Sequence, residues 1–330
     1  MSTTAEIAQR TVADAIWAPS VHNTQPWLFV ADRRHINLYA DVSRRLEIAD
    51  PDGRELMLSC GAALLTMRLA LRSLGYLATV RLLPDPILPE LVATVTWRPF
   101  AEPTGYERVL SAQMRRRRSH RGAFDTEPLP SGLLAVLRQD AAREGTMLRV
   151  VADDARRALL AHATQAAEHS VRTDGARVRE LVRWAPAPGS AYRDGVPASS
   201  YPARDDHTNP YYPSRDFAHG RGWGLRSLSS APAARSTGVV ALLTTNHDTP
   251  ADWVNAGQGL QRVLLTATAH GAATALHTQP LELPWLREAL RTQLCDGAFP
   301  QFILRFGMVT QVATSVRRDL ADVLFTNEDR

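Results

Sequence analysis

Two stretches of this 330-residue chain, Arg54 to Val80 and Asp252 to Leu276, lie over one another at a constant offset of 196 residues. Gly61 falls on Gly257, Ala63 on Gly259, Leu64 on Leu260, Leu69 on Leu265 and Gly75 on Gly271. Both read as helices by period. Leu56, Leu64, Leu65, Leu69 and Leu71 mark the first, and Val254, Leu260, Val263, Leu264 and Leu265 the second. Small residues at the repeated glycine and alanine positions let helices approach closely. A glycine stands where each helix should stop, as a C-terminal cap requires. A proline-containing connection follows each, then an apolar strand-like run, Leu91–Thr96 or Phe302–Arg305. A repeat of this period means duplicated domains rather than a solenoid.

The pattern predicts an α+β fold built twice. The first half, residues 1–104, reads as helix Thr4–Trp17, strands Trp27–Ala31 and Asn37–Ala40, a long helix from Arg54 to Leu74, and strand Leu91–Thr96. In the second half, residues 105–330, helices are expected at Tyr106–Arg116, Ser131–Glu144, across Asp154–Trp184, at Trp253–His270 and at Trp285–Gln293. Its strands are expected at Met147–Val151 and Gln301–Phe306, with residues 317–324 extending past the last strand. Residues 185–224 break the pattern. Pro186, Pro188, Pro197, Pro202, Pro210 and Pro213, with glycines at 189, 195, 220, 222 and 224, forbid regular elements. Tyr192, Tyr201, Tyr211, Tyr212, Phe217 and Trp223 make the segment too aromatic for a disordered linker, so we expect an ordered lid.

Composition removes several classes of chemistry. All 38 basic residues are arginine, which excludes a Schiff-base lysine and a P-loop of the GxxxxGK[ST] type. The net charge of +4 is spread over scattered arginines with acidic residues between them, and only Arg115–Arg118 forms a block. A solvated surface is expected, not a nucleic-acid partner. No apolar run reaches the roughly 18–20 residues that cross a bilayer, and the first residues have no secretory pattern. A cytoplasmic protein without membrane partners is the expectation. Cys60 and Cys295 are expected as reduced core thiols. No His/Cys cluster has metal spacing, and His162 with His169 reads as one exposed helix face.

Two segments carry the chemistry. Arg117, Arg118, Ser119, His120 and Arg121 offer forked guanidinium donors and a hydroxyl, which match a phosphate dianion, and Arg317 and Arg318 can converge on the same group. In Ala18-Pro19-Ser20-Val21-His22-Asn23-Thr24-Gln25-Pro26-Trp27, Pro19 and Pro26 are expected to fix an extended path. That path would leave the Ser20 and Val21 amides and the Asn23 side chain free for a flat ligand, with Pro19 against a ring face. For His22 and His120 a place near that ring is the alternative, and structural or surface histidines are the expectation.

The second segment resembles the APSxxNxQPW signature of nitroreductase-like flavoproteins, and the arginine segment resembles their RRSxR phosphate clamp. Asp252–Gly271 is similar to their central helix, and Ala275–Glu282 to the loop bordering the flavin N5 edge, which would add Leu276, His277 and Thr278 to the site. Over nearly the whole chain the resemblance is to the Acg-type nitroreductase-like proteins, in which two degenerate nitroreductase units are fused. Ordinary nitroreductases are homodimers that build each FMN site from a clamp on one subunit and an APSxxN segment on the other. Here the first half has the APSxxN segment without a clamp, and the second has the clamp without that segment. The resemblance therefore implies a nitroreductase-like pseudo-dimer, a monomer mimicking a dimer, with one FMN per chain. It also implies NAD(P)H-dependent reduction of a small nitroaromatic or quinone-like acceptor, the chemistry residing in FMN rather than in an acid, base or nucleophile. The alternative is an FMN storage or sequestering protein whose lid closes the flavin site.

Overall fold

The computed structural model describes residues 3–32, 35–187, 189–200, 208–217, 236–310 and 314–326. The chain begins with helix α1 (Thr4–Ala15), strands β1 (Trp27–Asp32) and β2 (His35–Ala40), the long helix α2 (Arg54–Ser73), and strands β3 (Tyr76–Leu82) and β4 (Leu91–Pro99). Helix α3 (Gly105–Gln113), the short strand β5 (Ser119–His120), helix α4 (Leu133–Arg143), strand β6 (Met147–Val150) and helices α5 (Asp154–Thr173) and α6 (Gly175–Arg183) follow. The last part contains β7 (Val239–Thr245), α7 (Pro250–Ala269), β8 (Ala272–His277), α8 (Pro284–Leu294), β9 (Phe299–Met308) and β10 (Leu324–Thr326). Local chemistry sets several starts. Thr3 with Glu6, Thr104 with Glu107 and Thr249 with Asp252 form reciprocal caps on α1, α3 and α7.

Two five-stranded sheets result, ordered β10-β1-β2-β4-β3 and β5-β8-β9-β7-β6. Four strands of each share one order, β1-β2-β4-β3 in one and β6-β7-β9-β8 in the other, with every neighbouring pair antiparallel. The fifth strands differ. β10 lies parallel to β1, so the C-terminus returns to the first sheet, whereas β5 lies parallel to β8.

The repeat seen in the sequence is the centre of the molecule. Helices α2 and α7 begin and end at the same offset, and each stops before a glycine in the left-handed region, Gly75 (φ 83°) and Gly271 (φ 76°). They cross where Gly61 faces the Val254 backbone and Gly257 faces the Leu58 backbone, so closely that a Cβ on either glycine would strike a carbonyl oxygen. Leu58 and Val254 are themselves equivalent in the repeat, so the contact is isologous, like that across a two-fold dimer axis. Val254 packs into the first sheet's core with Phe29, Leu38 and Val95, and Leu58 into the second's with Leu148, Leu243 and Phe306. Helix α2 is long and apolar enough to cross a bilayer by length and composition alone, a property that counting unbroken apolar runs does not reveal. Here it is buried as the central helix.

The expected helices are all present. The expected proline-containing connections after the central helices instead contain whole strands, β3 and β8. β8 reads Ala-Ala-Thr-Ala-Leu-His, rich in alanine, which is depleted in strands, and β3 alternates only weakly. β5 and β10 are too short to leave a pattern. β7, Val-Val-Ala-Leu-Leu-Thr-Thr, is a plain buried-strand run just after the irregular segment. Cys60 and Cys295 are buried free thiols, and His162 and His169 are exposed on α5.

Candidate functional site

A cavity of about 110 Å³ lies beside the crossing of α2 and α7. Pro19 to His22 wall it on one side and Ser119 to Arg121 and Leu276 to Gln279 on others, with Leu58, Ser59 and Leu260 from the central helices. A smaller space of about 40 Å³ adjoins it, sharing Pro19, Ser20, Ser119, Arg121 and Val196. Asn23, Arg117, Arg118 and Arg317 line that space with the hydroxyl residues Ser200, Thr314 and Ser315. Of the residues singled out from the sequence, all but Arg318 line one or both spaces. Arg318 is turned away. Its backbone amide donates to Gln25 Oε1 at 2.8 Å, its guanidinium donates to Asp322 O at 2.9 Å, and it lies 3.6 Å from Asp41.

The segment after Ser20 is a tight turn, not the extended path expected from its prolines. His22, Asn23 and Gln25 adopt φ of 47°, 53° and 51°, three non-glycine residues in the left-handed region within four positions. Such conformations cost about 1–3 kcal/mol each and persist only where surroundings dictate them. The supports are visible. Gln25 N donates to Ser20 Oγ at 2.9 Å, Gln25 Nε2 to Arg193 O at 2.8 Å, and Val21 N to Ser59 Oγ at 3.2 Å. Asn23 Nδ2 donates to Gly195 O and Val316 O, and its Oδ1 accepts from Arg317. The Val21 amide and the Asn23 side chain are therefore committed to the protein, contrary to expectation. Proline constrains only its own φ and the preceding residue, which left 21–25 free to turn.

Arginines crowd the smaller space. Arg117 and Arg317 are almost completely buried, and among the described residues no carboxylate lies within ion-pair distance of Arg117, Arg118 or Arg317. Arg117 Nε and Arg317 Nε have no hydrogen-bond partner among the described residues. Burial, with Arg118 and Arg121 adding to it, pushes Arg117 down to about 9. Burial and then Arg117, Arg118 and Arg121 push Arg317 well below the usual guanidinium range. Trp17 carries Arg118 and Arg317 against its ring, at 4.9 and 5.4 Å. Such a space can take an anion that balances its charge.

The larger cavity has a different lining. His277, at the end of β8, accepts from Arg305 Nε at 2.8 Å, and burial holds its pKa well down. His22 borders the cavity with both ring nitrogens unpartnered among the described residues, its ring 5.0 Å from Phe217 in a T-shaped contact. Sequence reasoning missed Glu55, which also borders it, and the groups around it: Asp50, Arg54, Arg215 and Glu282. Charges at the start of an apolar central helix were the available signal. Of residues 185–224, Val196, Ser214, Arg215 and Phe217 line the cavity, and the Gly195 amide donates to Asn23 O at 3.2 Å. Pro188, Tyr201, Pro202, Trp223 and glycines 220, 222 and 224 lie outside the described residues.

No family model matches the chain. Rv3131 of Mycobacterium tuberculosis, which carries the name of an NAD(P)H nitroreductase, is 37% identical over 326 residues, covering 97% of this chain and 91% of its own. The protein named Acg from the same organism is 29% identical, covering 94% of this chain and 91% of its own. Among solved structures, the FMN-dependent nitroreductase NfnB of Mycobacterium smegmatis in complex with NADPH is 17% identical, covers 65% of this chain and 96% of its own, and has a TM-score of 0.38. An FMN-bound nitroreductase of Bacteroides fragilis is 13% identical over 64% of this chain and 93% of its own, with a TM-score of 0.36. Superposition that loose supports no detail, and the assignment rests on full-length likeness to Rv3131: the chain belongs to the nitroreductase family.

Proposed function

We propose that this protein binds one FMN per chain across its two halves and uses it for NAD(P)H-dependent reduction of nitroaromatic or quinone-like acceptors. One observation carries the reading: Arg117 and Arg317, buried and without a carboxylate at ion-pair distance among the described residues, line a space that adjoins a larger cavity with apolar walls. A phosphate dianion relieves the repulsion among Arg117, Arg118, Arg121 and Arg317, and guanidinium forks match its oxygens. The Arg117 and Arg317 Nε groups that lack partners are donors such an anion would satisfy. Pro19, Leu58, Leu260 and Phe302 offer apolar contact to a flat ring, and the backbone of Leu276 to Thr278 borders the same cavity. FMN, when bound, supplies the electron relay between NAD(P)H and acceptor. The residues themselves bind, orient and exclude water.

The test is flavin absorbance against protein concentration at saturation. A ratio near one is expected, and a ratio near zero or two overturns the proposal. Arg117→Met should weaken FMN binding about tenfold to a hundredfold, from the worth of a charged hydrogen bond, without loss of thermal stability, since one of several repelling charges is removed.

A second reading is storage of FMN with little turnover. The anchoring of 193–196 on the signature turn favours it, because Arg193, Asp194 and Gly195 bond Gln25, Arg44 and Asn23 beside the cavity. If that segment is a closed lid, NADPH reduces bound FMN slowly. Rapid anaerobic bleaching of the intact protein by NADPH excludes it.

A further inference from the structure

Three carboxylates and two guanidiniums meet at the part of the larger cavity that the arginine-lined space does not share. Asp50, from the loop before α2, accepts the backbone amides of Glu55 and Leu56, both at 2.9 Å. Glu282, from the turn after β8, accepts Arg215 at 2.5 Å and the Thr278 hydroxyl at 2.9 Å. Glu55, in the first turn of α2, accepts Arg54 at 2.5 Å through Oε1. Its Oε2 has no hydrogen-bond partner among the described residues, and the residue borders the cavity. Asp50, Arg54, Glu55 and Glu282 are buried, and the three carboxylates crowd one space with the guanidiniums of Arg54 and Arg215. A buried charge in that position is relieved by taking up a proton. Asp50 uses both oxygens on the two amides, Glu282 takes both of its bonds on Oε1, and neither residue lines the cavity. Glu55 is the one of the three that borders the cavity, so its proton is the one a bound molecule can reach. A second feature marks the same space as one that awaits polar contact: His22, with both ring nitrogens unpartnered, borders it.

We propose that Glu55 is a catalytic acid, delivering its proton to an oxygen of a quinone-like acceptor bound in this cavity, an inference that rests on the function proposed above. Reducing a quinone to a hydroquinone takes two electrons and two protons. NAD(P)H supplies both electrons and one proton as its hydride. The second proton passes from Glu55 Oε2 to the acceptor oxygen, so that one O–H bond forms as the other breaks. The carboxylate left behind is held by Arg54 and takes its next proton from water. Burial pushes Glu55 up to about 7; Arg54 and Arg215 oppose the rise, and Glu282 and Asp50 add to it. That places the acid where it can both hold and release a proton near neutral pH. His22 stays neutral beside it, its pKa held well down by burial and then by Arg215 and Arg121.

Two measurements decide it. Infrared difference spectra of the FMN-free protein across neutral pH should show the carbonyl stretch of a protonated carboxyl group titrating near 7, absent in Glu55→Gln and present in Glu55→Asp. A spectrum that Glu55→Gln leaves unchanged overturns the proposal without need of catalysis. In the FMN-loaded enzyme, turnover with p-benzoquinone, which needs the proton, is compared with turnover with ferricyanide, which takes electrons alone. Glu55→Gln should lower the quinone-to-ferricyanide ratio about a hundredfold, the usual reach of a positioned acid, and Glu55→Asp should recover part of it. An unchanged ratio with FMN bound overturns the acid alone, whereas failure to bind FMN at all overturns the parent reading and the acid with it.

Discussion

The two halves make the same helix-to-strand step by different means. In the first, α1 ends at Ala15 and β1 begins at Trp27, and the residues between form the strained turn that walls the cavity. In the second, α4 ends at Arg143 and β6 begins at Met147, so Glu144, Gly145 and Thr146 make the whole connection. That short turn presses against the central helices. Glu144 pairs with Arg68 of α2 and Arg262 of α7, and Arg68 also donates to Gln258 at 2.6 Å. Gln258 in turn donates to Asn255, the repeat equivalent of Ser59, which holds Val21 in the first half. Where the repeat would place a second cavity, the second half has ion pairs. The scaffold kept its two-fold pattern while the sites diverged through the length of one connection.

The comparison breaks first at the crossing of α2 and α7. Because Gly61 and Gly257 each face backbone on the other helix, no side-chain rearrangement can make room for a larger residue. Gly61→Val and Gly257→Val should each cost about 3 kcal/mol or more, read as loss of soluble protein or a large fall in Tm. The two costs should match, since the contact is reciprocal. Tolerance of either substitution would show that the crossing is not the shared axis of the two units.

Next in size is the filled half. Glu144→Gln leaves Arg262, nearly buried, facing Arg68 with the intervening charge removed. Breaking a buried pair from one side costs about 3–5 kcal/mol. Urea unfolding should register that loss while FMN affinity stays unchanged, the reverse of what Arg117→Met should do in the other site. If Glu144→Gln releases FMN, the ion pairs around Glu144 serve the cavity as well as the scaffold.

Much of this division is legible in the sequence because it rests on covalent spacing. The 196-residue offset brought out both central helices and their glycine stops, and the arginine block with Arg317 marked the residues that line the smaller space. What stayed hidden depends on tertiary surroundings. Nothing local announces that His22, Asn23 and Gln25 turn left-handed; Ser59, Arg193 and Arg318, distant in sequence, hold them there. The same holds for Glu55, which reads as an ordinary first-turn acid favourable to a helix dipole until Asp50 and Glu282 are seen beside it. Arg318 looked equivalent to Arg317, yet Gln25, Asp41 and Asp322 claim it.

The smallest expected effect is a pH dependence set by groups around the cavity. Burial raises Asp50 to about 6 and Glu55 to about 7, above their ordinary values of 3.8 and 4.5. A carboxyl whose pKa is raised by folding binds its proton more tightly in the native state. Its contribution to stability is thus complete below the unfolded value and fades as pH rises through the folded one. For Glu55 the window runs from 4.5 to about 7. His22 and His277 act in the opposite sense, since burial lowers both and the native state resists their protonation. Their contribution grows as pH rises toward 6.5 and levels off above it. The net slope of the wild type therefore mixes two signs, but the difference between wild type and Glu55→Gln isolates one. Urea midpoints taken at intervals from pH 4 to 8 should show the advantage of wild type shrinking steadily between 4.5 and about 7 and level above that. At the equivalent position of the repeat stands Ala251, which offers no proton to lose. A flat difference would mean that Glu55 is ionised in the folded protein, with Arg54 and Arg215 outweighing burial.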